Sequence, residues 1–302
     1  NSRCIDCCSS RGCASENGTQ AVTITITDNE SAPTLTLATS ASSIAENAGS
    51  SLTLTATLSN GTYQDVTAAL GTSGTATEGT DYTDGSGSID DITISAGATT
   101  GTVSFTPTND SIDEANETAI IAVTGVSGGS ATESGTQSQT ITITDDDTSS
   151  FSVADVTVAE GAGTATITVS ASNVFSSDVT IDYATSNGTA TAGSDYTAAS
   201  DTLTFSAGDT SKTFTVSITD DALDEDNETA TITISNASNG SISDSTATLT
   251  ITDNDATPSL SINDVSTTNE SNTSTNLTVT LSAAAGRDVT VNFATSNDTA
   301  TA

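Results

Sequence analysis

The chain reads as all-β, a tandem of antiparallel β-sandwiches of about 110 residues each. Three observations predict this. Apolar residues alternate with Thr or Ser through most of the sequence, as in Ala165-Thr166-Ile167-Thr168-Val169 and Phe214-Thr215-Val216-Ser217-Ile218. That period of two puts one strand face in a core and the other in water. No stretch sustains the 3.6-residue period of an amphipathic helix. The same short motifs also return in the same order at a spacing of about 110 residues, the size of one sandwich domain.

The elements follow in chain order. Residues 1–20 are a Cys-rich segment, with Cys4, Cys7, Cys8 and Cys13 close together and Arg3 and Arg11 beside them. Disulfides are the leading expectation for these thiols, within the segment or between chains. A four-thiolate metal knot and free thiols remain alternatives, although the spacing matches no zinc pattern. Residues 21–30 read as the last strand of a preceding repeat, Ala21–Thr27, followed by an acidic triplet. Residues 31–147 and 148–255 are two complete repeats, and 256–302 is a partial one. The expectation is a piece of a longer protein, or one whose missing strands a neighbouring chain supplies.

Within a repeat, about seven strands are expected, separated by Gly, Asn and Ser turns. Val, Ile, Leu and Phe build each core, and Thr keeps the outer faces soluble without Lys. The segments Leu203–Phe205 and Lys212–Phe214, joined by Ser-Ala-Gly-Asp-Thr-Ser, read as a hairpin. Ile92–Ile94 and Val103–Phe105 form the matching pair.

Composition excludes several functions. The 302 residues carry 39 acids, 4 bases and no His, for a net charge of −35. Nucleic acid and anionic membrane surfaces repel such a chain. No run of about 18 apolar residues is present to span a bilayer. Without His, and with Lys212 as the one lysine, His-based nucleophilic or general-base chemistry has no carrier. Aromatic platforms for sugars are scarce, so a carboxylate-pair glycosidase is disfavoured and no enzyme is expected.

The acids cluster in register. A triplet closes each repeat: Asp28-Asn29-Glu30, Asp145-Asp146-Asp147, Asp253-Asn254-Asp255. A lone Glu follows each triplet, at Glu46, Glu160 and Glu270. Gly-Thr-Ala-Thr leading to Gly-x-Asp-Tyr ends at Asp81-Tyr82 and Asp195-Tyr196. A fourth motif is Asp110-Ser-Ile-Asp113-Glu114-Ala-Asn-Glu117 and Asp221-Ala-Leu-Asp224-Glu225-Asp-Asn-Glu228. If one pole of each sandwich collects all four, the carboxylates repel strongly unless cations neutralise them. Hard oxygen donors, with no His and no nearby Cys, select Ca²⁺, several ions per complete repeat. Acids outside the motifs, such as Asp178 and Asp244, read as solvated surface, and Tyr82 and Tyr196 as packing residues.

These motifs resemble those of Calx-β domains, the module of the sodium/calcium exchanger's regulatory loop and of large bacterial surface proteins. The resemblance implies an immunoglobulin-like sandwich with calcium ions at one pole, beside the junction between repeats. It also implies a ligand set. In the first repeat this is Glu46, Asp81, Asp110, Glu114, Glu117, Asp145, Asp146 and Asp147. In the second it is Glu160, Asp195, Asp220, Asp221, Glu225, Glu228, Asp253 and Asp255. Asn109 and Asn254 stand where the family pattern has Asp, keeping a carbonyl oxygen but losing a charge. The third repeat keeps Glu270 alone.

The leading functional expectation is an extracellular, bacterial cell-surface protein of structural or adhesive type. Its sandwiches are stiffened by Ca²⁺ across the short linkers 148–150 and 256–258. Its partners are other copies of itself, neighbouring repeats, or surface and matrix ligands, with strand complementation as a route to filaments. The alternative is a calcium-sensing regulatory module of a larger protein.

Overall fold

The structure is a computed structural model, and it describes residues 21–26, 29–266 and 274–296. The four cysteines, Asp28 and Glu270 lie outside the described residues.

The first complete sandwich contains β1 (Thr34–Thr39), β2 (Ser43–Ala45), β3 (Leu52–Leu58), β4 (Val66–Gly74), β5 (Tyr82–Thr83), β6 (Ile92–Ile94), β7 (Thr100–Pro107), β8 (Glu117–Ser127), β9 (Thr132–Glu133) and β10 (Ser138–Thr144). One sheet has the order β5-β7-β3-β1-β9 and the other β2-β10-β8-β4-β6. The second sandwich contains β11 (Ser150–Val153), β12 (Val156–Ala159), β13 (Thr164–Ala171), β14 (Val179–Asn187), β15 (Ser200–Phe205), β16 (Ser211–Ser217), β17 (Glu228–Ser235), β18 (Ser241–Asp244) and β19 (Thr246–Thr252). Its sheets run β16-β13-β11-β18 and β12-β19-β17-β14-β15.

Each complete repeat has more strand segments than the seven expected, and one of the extra segments has an identifiable source. The first strand of the repeat breaks in two and changes sheet. β1 pairs antiparallel with β3, while β2 pairs parallel with β10. β11 and β12 repeat this with β13 and β19.

The expected hairpins do not form. β15 pairs with β14, whereas β16 pairs with β13 in the opposite sheet. β6 and β7 likewise pair with β4 and β3. The Ser-Ala-Gly-Asp turn therefore crosses from one sheet to the other. Phe205 and Phe214 enter one core from opposite sides, both buried.

Alternation does what the sequence implies. β3 and β13 bury every second side chain and turn Thr outward. Each complete repeat has its own apolar core. Tyr82, Phe105, Leu35, Leu54, Ile121 and Ile141 anchor the first. Phe151, Phe175, Phe205, Ile181, Ile232 and Tyr196 anchor the second. Rings pack within them: Tyr82 stacks on Phe105 at 4.7 Å, and Phe151 meets Phe205 edge-on at 5.0 Å. In the third repeat β20 (Leu260–Ile262) pairs with β21 (Val279–Leu281), and apolar residues such as Ile262 and Phe293 stay exposed.

Candidate metal centre

In each complete repeat the four motifs converge at one pole. Glu46 follows β2, Asp81 precedes β5, the 110–117 loop links β7 to β8, and the triplet follows β10. Local bonds hold each acid in place. The Asp81 carboxylate accepts the Thr77 N–H at 2.5 Å, and Asp195 accepts that of Thr191 at 2.6 Å. Glu46 is 7% exposed, and its Oε1 accepts the Asp110 N–H. Glu160, equally buried, accepts the Asp221 N–H at 3.1 Å.

Two three-carboxylate groups result in each repeat. Glu46, Asp145 and Asp147 form one and Asp81, Glu114 and Glu117 the other, with one oxygen from each member within 4.8 Å of the rest. Glu160, Asp253 and Asp255, then Asp195, Glu225 and Glu228, reproduce both. Glu46, Asp81, Asp110, Glu114, Glu117 and Asp145 line one small cavity.

The electrostatics are those of crowded anions. Burial, then mutual repulsion, pushes Glu46, Glu114, Asp147, Glu160, Glu225 and Asp255 above the usual carboxylate range. Glu117 rises to about 7 for the same reasons, sharing a hydrogen bond with Asp81. Glu228 matches it beside Asp195. Among the described residues no base relieves this. Lys212 pairs with Asp209, and Arg287 with Asp224 and Asp226. Asp145 Oδ1, Asp147 Oδ2 and Asp255 Oδ2 are buried without a hydrogen-bond partner. Unpartnered buried oxygens among hard donors fit a Ca²⁺-type cation, which satisfies several carboxylates at once.

The remaining residues of the implied ligand set fall outside these three-membered groups, but Asp110 and Asp221 lie beside them: Asp110 lines the same cavity, and the two add to the repulsion that raises Glu46 and Glu160. Asp110 Oδ1 and Asp221 Oδ1 cap the turns at Ile112 and Leu223, at 2.7 and 2.8 Å. Asp146 accepts the Asn47 amide at 2.5 Å. Asn254 donates to Asp220 at 3.5 Å, and Asn109 to the Asp110 carbonyl at 3.1 Å. The two Asn departures are reciprocal. At these two matching positions the first repeat has Asn109 and Asp146 and the second Asp220 and Asn254, so each keeps one carboxylate and one amide.

Two roles escaped the sequence reading. Asn116 and Asn227 accept the N–H groups of Asp145 and Asp253, both at 3.1 Å, and so aim the triplets. Their signal was present, since Asn precedes Glu117 and Glu228 alike. Asp113 and Asp224, acids of the same loops, turn away from the clusters toward the next repeat. Asp113 Oδ2 accepts the Ser149 N–H at 2.8 Å. Both carboxylate oxygens of Asp224 accept from Arg287 Nη2 at 2.9 Å, and Oδ1 also accepts from the Thr257 hydroxyl at 3.3 Å.

Fold and site together define a class: tandem β-sandwiches with a carboxylate-lined pole beside each junction. The Calx-beta domain model matches residues 28–147, 143–255 and 253–302, so the chain belongs to the Calx-beta family. Among solved structures, the apo-form Calx CBD1 domain is 27% identical, covering 36% of this chain and 100% of that one, with a TM-score of 0.34. CBD12 from CALX1.2 is 17% identical over 72% of this chain and 99% of that one, with a TM-score of 0.33. The calcium-binding domain CBD12 of CALX1.1 is 17% identical over 68% and 95%, with a TM-score of 0.31. No curated protein matches the chain.

Proposed function

We propose that the chain binds Ca²⁺ at the acidic pole of each complete repeat, and that the bound ions stiffen a string of sandwiches serving a structural or adhesive role outside the cell. One observation carries the reading: two three-carboxylate groups per repeat, reproduced residue for residue, with buried oxygens lacking a partner. Calcium withdraws the repulsion that otherwise opens the pole. The triplets lead directly into the next repeat, so ordering them also orders the junction.

A second reading, a calcium-sensing module, draws on membership of the Calx-beta family, the module that the sodium/calcium exchanger's regulatory loop also carries. Affinity separates the two. A millimolar to high-micromolar Kd suits an extracellular strut and a submicromolar one a sensor. Assembly by strand complementation draws support from the exposed apolar residues Val22, Ile24 and Ile26, and from Leu277 and Val291 in the third repeat. A concentration-independent monomer by analytical ultracentrifugation removes that assembly.

The central experiment compares thermal unfolding with calcium and with EDTA. Calcium should raise Tm, by RT ln(1 + [L]/Kd) of stabilisation per site. Identical curves would overturn the calcium reading.

A further inference from the structure

Between residues 29 and 259 a single large apolar side chain stands exposed among the described residues: Tyr63, at 86%. It lies in the connection from β3 to β4. In the other two repeats this connection is where the preceding repeat docks. Asp113 forms a parallel bridge with Phe175, donating its N–H to the Val174 carbonyl at 3.0 Å and accepting that of Ser176 at 3.2 Å. Asp224 bridges Ala285 in the same way, accepting the Gly286 N–H at 3.1 Å. In both cases the incoming group is an Asp of the acidic loop, its side chain buried on arrival.

The first repeat presents the same loop in the same geometry. The Thr62 carbonyl accepts the Gly97 N–H, as that of Phe175 accepts Gly208. Asp65 accepts the Ala96 N–H, as Asp178 accepts Ala207. Gly129 lies against Thr62 as Gly240 lies against Phe175. Thr62, Tyr63 and Gln64 therefore hold the places of Phe175, Ser176 and Ser177. Through the shared Asp-Val-Thr at 65–67, 178–180 and 288–290, they also hold those of Ala285, Gly286 and Arg287.

We infer that Gly61–Gln64 is a docking surface for the acidic loop of another Calx-beta repeat joined ahead of residue 31. The Tyr63 N–H meets the carbonyl of the incoming Asp, and its ring closes over the contact. The carboxylate needs donors. At the first internal junction the Ser149 main chain supplies one. Pro33 holds the place of Ser149, since their carbonyls accept the matching N–H groups of Thr132 and Ser241, and proline has no N–H. Pro258 leaves the same gap at the second junction, where Arg287 fills it. Gln64, at the position of Arg287 and exposed, fills it here with a neutral amide. The connection fits as well: Thr27 to Pro33 is as long as Thr252 to Pro258.

A chain with residues 29–147 duplicated directly ahead of Ser31 supplies the loop in cis. The protein has no Trp, so Tyr63→Trp in the downstream copy is the sole tryptophan emitter, excited selectively at the red edge of the indole band. Its emission should shift to the blue, and acrylamide quenching should fall several-fold against the same substitution in the 302-residue chain. Asp113→Ala in the added copy should reverse both. In the duplicated chain without the tryptophan, the Tyr63 amide should exchange about tenfold more slowly or better than in the single-copy chain. An indole and an amide as exposed as in the 302-residue chain overturn the inference. So does shielding that appears in the 302-residue chain as concentration rises, which assigns the surface to a second copy. Calcium binding followed by calorimetry on the same sample keeps the two readings separate. Binding with an exposed Tyr63 overturns the docking alone, and shielding without binding overturns the calcium reading alone.

Discussion

The Asn239 side-chain amide donates to the Asp113 carboxylate at 3.1 Å across the junction of the two complete repeats, 126 positions apart in sequence. Asp113 immediately precedes Glu114, a member of a three-carboxylate group. One short loop thus faces the cation cluster with one residue and the next sandwich with its neighbour. Whatever orders the loop orders the junction.

Asp113→Ala should therefore uncouple the repeats while leaving both cores intact. The Ser149 N–H, in a residue 1% exposed, loses its partner and cannot reach water. The cost is about 1–3 kcal/mol. Denaturant unfolding should become less cooperative, and small-angle scattering should report a broader range of inter-repeat angles. An unchanged scattering profile would show that the latch is passive.

Asp147 and Asp146 make a contrasting pair. Asp147→Asn removes a charge from the Glu46–Asp145–Asp147 group and should weaken calcium binding by about ten- to a hundredfold at that site. Asp146→Ala removes the partner of Asn47 and should change calcium affinity much less, with a stability loss on the order of 1 kcal/mol or below. Isothermal titration calorimetry on both variants checks this. Equal losses would mean that the triplet binds as a unit.

Acidity provides a third check. In EDTA, Glu117 and Glu228 hold protons up to about pH 7, above the ordinary 4.5. The folded state then binds protons more tightly than the unfolded chain. Stabilisation from these groups is complete below pH 4.5 and is lost as the pH rises through about 7. The Tm of the chelated protein should fall across that window. Calcium displaces the protons and should flatten the curve. Glu117→Gln with Glu228→Gln should flatten it in EDTA as well, and a Tm that climbs with pH in EDTA would contradict the crowding described here.

Gly74 tests the frame beneath the site. It adopts φ +122°, and an added Cβ would lie 2.0 Å from the Thr118 carbonyl oxygen. Gly74→Ala should destabilise the first repeat by more than about 1 kcal/mol. Gly97→Ala, at φ +83° but facing open space, should cost less. Urea titrations of the two variants rank them.

Much of this was legible in the sequence, unevenly. Strict Thr–apolar alternation gave the strands, and in-register recurrence of Glu46, Asp81, Glu114, Glu117 and Asp145 pointed to one pole. Alternation says which face of a strand is buried but not which sheet it joins. That is why Phe205 and Phe214 read as a hairpin and fold as opposing walls. Residue type also says nothing of direction. Asp110, Asp113, Asp146 and Asp147 are chemically alike, yet one caps a turn, one latches a junction, one holds an Asn and one joins a cluster. Local backbone geometry sorts them.

The parallel pairing of β2 with β10, and of β12 with β19, has a mechanical consequence. The first and last strands of each complete repeat lie side by side and point the same way, so the chain enters at one pole and leaves at the other. Tension along the polypeptide then pulls these neighbours past each other, loading all of their hydrogen bonds together rather than peeling them one at a time. Rupture of a complete sandwich pulled in this way must break that patch in shear.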